Sequence, residues 1–222
     1  MSAIKKTEKK YLIQKIKNIV GLPAGRAGQA MRNWFASDKT FNSLYPAPIQ
    51  EVAEKHWTPL AVAQKAAAFL AASPNVKILD IGSGSGKFCL TAAHHHPLTL
   101  FYGIEQRQYL VDLSQRLAGQ LKLENAFFIC DNITHIDFRK YDHFYFYNSF
   151  YENILGTQKI DSSIQYSEEL YNHYNRYLFK QLSKKPAGTR LATYHSFGRE
   201  VPSDYEVVHT DYNEFLKFWI KL

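Results

Sequence analysis

Gly82, Gly84 and Gly86 stand at every second position directly after Asp80, and two further acids follow downstream at Glu105 and Asp131. Glycines at this spacing let a backbone turn tightly and approach a ligand with no Cβ in the way. An acid closing a strand, as Glu105 does in Phe101-Tyr102-Gly103-Ile104-Glu105, can accept hydrogen bonds from both hydroxyls of a ribose. Asp131-Asn132-Ile133 offers an acid or amide for an adenine amino group, followed by an apolar side chain for the ring.

These residues need a particular scaffold. The apolar run Val76–Ile81 reads as a buried central strand of a parallel sheet, and the chain turns at the glycines into a helix from about Lys87 to Ala93. Phe101–Glu105 reads as a second strand, followed by a helix over Arg107–Leu123 with Leu110, Leu113, Leu117 and Leu121 on one stripe; Ala126–Cys130 reads as a third strand. The glycine turn and both later acids then lie beyond the carboxyl ends of parallel strands, where open α/β sheets bind ligands. A dinucleotide fingerprint requires glycine where this chain has Lys87. A P-loop requires glycine at Ile81 and Ser or Thr at Phe88. Both motifs fail. The remaining Asp-x-Gly-x-Gly-x-Gly, with Glu105 nineteen residues after Gly86, resembles the class I (seven-strand) S-adenosylmethionine-dependent methyltransferases. That resemblance implies S-adenosyl-L-methionine as cofactor, held by Asp80, Gly82, Ser83, Gly84, Gly86, Glu105, Gln106, Asp131, Asn132 and Ile133. It also brings Thr58, in the helix start Trp57-Thr58-Pro59 with Thr58 as N-cap and Pro59 at the first helical position, near the donor's methionine end.

The fourth strand bears on the acceptor. His143–Tyr151 is almost wholly aromatic around the polar pair Asn148-Ser149 and lacks the Asn/Asp-Pro-Pro-aromatic motif of amine methylases acting on bases and glutamine. With Gly188–Phe197 as a fifth strand, it resembles the non-SET protein lysine methyltransferases, and the resemblance spans residues 57–200. This implies transfer to a protein amine, with Asn148, Phe150, Tyr151 and Tyr194 as catalytic residues and Tyr147 beside them. An aromatic channel would lower the lysine pKa by desolvation. Two alternatives stand beside this reading: a small-molecule methyltransferase with the Gly156–Tyr166 insertion as a lid, and a non-catalytic donor-binding subunit acting through its basic N-terminal arm.

The expected architecture is α/β: a Rossmann-like, doubly wound, seven-stranded, mostly parallel sheet over 57–222, closed by an antiparallel pair near Tyr205–His209 and Leu216–Ile220. Residues 1–56 form a basic, helical extension, amphipathic over 1–20 with a break at 21–30. Residues 1–40 carry nine Lys or Arg against Glu8 and Asp38, which accounts for the whole net charge of +7. The remaining 18 basic and 18 acidic residues cancel, so the core carries no strong nucleic-acid signal and the arm is the part suited to an acidic partner. Cys89 and Cys130, the only cysteines, fall in a helix and a strand and give no disulfide framework, and Cys130 reads as a buried small hydrophobe. With no secretory signal and no bilayer-length apolar run, the chain reads as cytoplasmic. His94-His95-His96 lack a nearby acid or cysteine, so no metal site is expected.

Overall fold

The computed structural model describes residues 33–222, so the basic helix expected over 1–20 lies outside the described residues. The chain divides into two compact units, 1–56 and 57–222. In the first, a 3-10 turn (Trp34–Ala36) leads to α1 (Asp38–Asn42), α2 (Ala47–Gln50) and α3 (Ala53–His56). Ser37 caps α1 by accepting the Thr40 N–H at 3.1 Å. Phe41 is fully buried, its ring 5.4 Å from that of Phe35 and 5.8 Å from that of Tyr45.

The second unit is a single seven-stranded sheet in the order β3-β2-β1-β4-β5-β7-β6. Its strands are β1 (Lys77–Ile81), β2 (Leu100–Glu105), β3 (Ala126–Cys130), β4 (His143–Phe146), β5 (Arg190–Tyr194), β6 (Tyr205–Asp211) and β7 (Leu216–Lys221). The first five are parallel, and β7 pairs antiparallel with both β5 and β6. Four helices complete the unit: α4 (Leu60–Leu70), α5 (Lys87–His95), α6 (Gln108–Gln120) and α7 (Glu168–Ser183).

Alternation along the central strands divides the core between the two faces. Leu79, Ile81, Phe144, Phe146 and Leu191 join Tyr174, Leu178 and Leu182 of α7 in one apolar cluster. Tyr145 faces the other way and stacks on Phe88 of α5 at 3.9 Å between ring centroids. Each such aromatic contributes about 1.5–3 kcal/mol by burial. No helix among the described residues is long and apolar enough to cross a membrane.

Three local expectations change. The helix after Trp57 begins at Leu60 with Pro59 at its cap position, and Thr58 instead shares a hydrogen bond with the buried Tyr145 hydroxyl at 3.0 Å. The fourth strand stops at Phe146 because Asn148 takes φ +38°, which turns the chain out of the sheet. Cys130, expected as a buried small hydrophobe, is exposed at its strand end.

Candidate functional site

The carboxyl ends of β1, β2 and β3 bring the glycine loop and the two later acids to one edge of the sheet. Gly82 and Gly84 both have φ in the left-handed region, +74° and +53°. A Cβ on Gly82 would lie 2.4 Å from the Ser149 Cβ, and one on Gly84 would lie 2.4 Å from the Trp57 indole. Backbone strain and close packing therefore both demand glycine there.

Glu105 is 6% exposed, and it braces this loop from β2. Its Oε2 accepts the Gly84 N–H at 3.1 Å, while Oε1 accepts the Arg107 N–H at 3.0 Å and a guanidinium N–H at 3.1 Å. Burial lifts its pKa, and the adjacent guanidinium pulls it back. A carboxylate has about four lone-pair sites, so these three bonds leave it room for a ligand hydroxyl. Asp80 is buried against the Cys89 thiol, 3.6 Å from Oδ2, and burial pushes its pKa up to about 8. Ser83 in the same loop is buried, and its Oγ has no partner among the described residues. A buried hydroxyl is rarely left so unless something else bonds it. The orphaned hydroxyl, the open loop backbone and the remaining capacity of Glu105 together fit a polar nucleoside ligand.

The third acid is more exposed. Asp131 accepts from His135 Nδ1 at 2.7 Å and from the Asn132 N–H at 2.7 Å, bonds that hold its carboxyl below the usual range. Asn132 is spent on structure: its amide donates to Gln106 Oε1 at 3.0 Å and the Tyr174 hydroxyl at 2.8 Å, while its carbonyl oxygen accepts from Thr134. Ile133 is 6% exposed and packs in the core cluster. Of this triplet, Asp131 is the residue with a carboxylate oxygen open to a ligand amino group.

One residue absent from the sequence-based set organises the insertion. Arg107, with a side chain 4% exposed, pairs with Glu105 on β2, with Glu152 at 2.5 Å and with Asp161 at 3.4 Å, and donates to the Tyr166 hydroxyl at 2.8 Å. Burial alone would lower its pKa, but the facing carboxylates hold it raised. Tyr109 adds a bond to Asp161 at 2.7 Å. The segment after β4 is thereby tied to the strand end that carries Glu105. Arg107 stands beside Glu105 in sequence, but its other partners lie 45 to 59 residues away, so spacing gives no sign of them.

The four residues expected at the acceptor end do not share one wall. Phe150 is buried, 4.9 Å from Phe146 and 5.4 Å from Tyr174 between ring centroids. Tyr151 is exposed, with its ring 6.1 Å from that of Phe197. Tyr194 instead meets Tyr147 at 4.8 Å and His195 at 4.3 Å, and His195 stacks on Phe215 at 4.4 Å. Burial pushes the Tyr147 hydroxyl up to about 12 and lowers the pKa of His195. Asn148 is half-buried at the turn between these groups, and Ser149 donates to the Ile81 carbonyl, joining the ends of β1 and β4.

Residues 74–143, from the turn before β1 to the first residue of β4, match a family described as putative methyltransferase. A tRNA (guanine-N(7)-)-methyltransferase of Synechococcus sp. (strain JA-3-3Ab) is 46% identical over 55 residues, 25% of this chain and 23% of that protein. A protein of the same name from Aquifex aeolicus is 28% identical over 146 residues, 65% of this chain and 42% of that one. The chain thus spans less than half the length of either curated relative. An RNA methyltransferase structure from Salinibacter ruber, in complex with S-adenosyl-L-homocysteine, superposes with a TM-score of 0.52 at 18% identity, over 74% of this chain and 92% of that one.

These relatives overturn two expectations, the protein lysine acceptor and the absence of a nucleic-acid signal on the core, since they are named for a base of tRNA. Both errors have a physical source. The aromatic density of the fourth strand is largely core, with Phe144, Tyr145 and Phe146 at most 1% exposed. A net charge of zero over residues 41–222 also conceals where the charges lie: residues 170–199 hold six Lys or Arg and no acid.

Proposed function

We propose that the second unit is a class I, Rossmann-like methyltransferase domain and that the protein transfers a methyl group from S-adenosylmethionine to a ring nitrogen of a guanine in tRNA. The observation that carries the donor half is the strained glycine loop closed by Glu105, with the unpartnered Ser83 hydroxyl inside it. The acceptor half is supported by the names of the curated relatives.

When bound, S-adenosylmethionine supplies a methyl carbon made electrophilic by its sulfonium. The loop Gly82–Gly86 and Ser83 would hold the donor's polar atoms, Glu105 would accept from a ribose hydroxyl, and Asp131 would take the adenine amino group. Gln106 fixes the Asn132 amide, and Thr58 fixes Tyr145 beneath the loop. Purine N7 has an in-plane lone pair and no proton, so the protein needs no general base for this transfer. Its work is alignment and exclusion of water. Asn148 and Tyr194, at the ends of β4 and β5, orient the acceptor. Phe150 backs the Asn148 turn from the core, and Tyr151 forms the outer rim. With tRNA as acceptor the compartment is the cytoplasm.

The test is incubation with methyl-labelled donor and an unmodified tRNA transcript, then digestion to nucleosides and mass spectrometry. Label in 7-methylguanosine is expected. Donor binding by calorimetry with no label in RNA would overturn the acceptor, and no donor binding by folded protein would overturn the activity.

A further inference from the structure

The charge imbalance in residues 170–199 has a definite location. Of its six basic residues, Lys185 donates to the Phe138 and Tyr141 carbonyls and Arg190 to the Phe69 carbonyl, so both are committed to the fold. The other four, Arg176, Lys180, Lys184 and Arg199, are exposed and form no ion pair with a described residue. Arg176 and Arg199 line one surface groove of about 390 Å³ with Tyr171, Asn172, Asn175 and Phe179. That volume is in the range that receives a small-molecule-sized group, which is the scale of one splayed nucleotide and far below that of a duplex.

Exposed rings accompany the cations. Phe179 is 42% exposed, Phe197 65% and Tyr151 42%, and the last two face each other. Tyr151 follows directly on the turn at Asn148, and Tyr174 of α7 packs on Phe150, so the strip runs outward from the acceptor end of the site. Glu168 and Glu169 open α7 and the buried Glu200 follows Arg199, yet none of them forms an ion pair with these four cations among the described residues. Cations left open in this way beside solvent-facing rings are what a flexible, negatively charged strand with unstacked bases requires.

We propose that the outer face of α7 and the turn after β5 form the docking surface for single-stranded segments of the acceptor RNA. Arg176 and Arg199 hold phosphates there, and Phe197 stacks a base. The inference rests on the RNA reading above and extends it from a reaction to a surface.

The test is binding of an unmodified tRNA transcript by fluorescence anisotropy across a series of salt concentrations. The proteins compared are wild type, the Arg176→Ala/Arg199→Ala double variant and Phe197→Ala, with donor titration as a check of folding. The double variant is expected to bind at least tenfold more weakly and to lose about two from the log–log salt slope, one per phosphate contact. Phe197→Ala is expected to lose roughly 5- to 100-fold in affinity with the slope unchanged. Wild-type affinity and slope in both variants, with wild type still methylating tRNA, would assign this face to another partner and overturn the docking surface alone. Failure of wild type to bind or methylate the RNA would overturn the function proposed above, and the surface with it.

Discussion

A single guanidinium coordinates more of this site than any residue in its motifs. Arg107 is closed off from solvent and meets three carboxylates, one on β2 and two on the segment after β4. Removing one partner of a buried ion network leaves the others charged and uncompensated, which costs about 3–5 kcal/mol. Arg107→Met keeps the apolar stem and deletes the charge. It is expected to lower unfolding stability by that amount in urea titration and to weaken donor binding at least tenfold, because Glu105 loses its one charged donor and keeps only the backbone N–H groups of Gly84 and residue 107. An unchanged urea midpoint and donor affinity would show that Glu105 and the insertion hold themselves in place. The glutamate was legible from its position after the glycine loop. Its arginine clamp was not, since Glu152, Asp161 and Tyr166 reach it only through the fold.

At the scale of elements, the β1 turn is the most constrained. Gly84→Ala would adopt a left-handed φ and collide with the Trp57 indole, a rigid buried ring that cannot swing aside. The variant is expected to lose about 2 kcal/mol or more of stability and to bind donor more weakly still, because Gly84 also donates to Glu105. Thermal melting and calorimetry on the same preparation separate the two effects; wild-type values in both would contradict the close approach. The order of strands and helices through β3 is readable from hydrophobic pattern and glycine punctuation alone. The end of β4 is not. Nothing in the continuous aromatic run His143–Tyr147 marks where the sheet stops, and the positive φ of Asn148 decides it.

Over the whole molecule, the buried charges of the site make stability depend on pH. Asp80 ionises near 8 in the folded chain, against about 4 for an ordinary carboxylate. Between those values the native state holds a proton that the unfolded chain has released, so stability falls as pH rises from about 4 to 8. Asp80→Asn removes that slope. Its melting temperature is expected to match that of wild type near pH 4 and to exceed it at pH 8, by about 2–4 °C per kcal/mol. Parallel pH profiles would show that Asp80 ionises normally. The sequence by itself determined the sheet, the glycine loop and the acids at its strand ends, because periodicity, turn residues and motif spacing are local properties of the chain. Only the tertiary structure decided which aromatics are core and which face solvent, what holds Glu105, and which of the basic residues in 170–199 remain open on the surface. Burial, ion pairing and surface charge are relations between residues far apart in sequence, and folding alone brings those residues together.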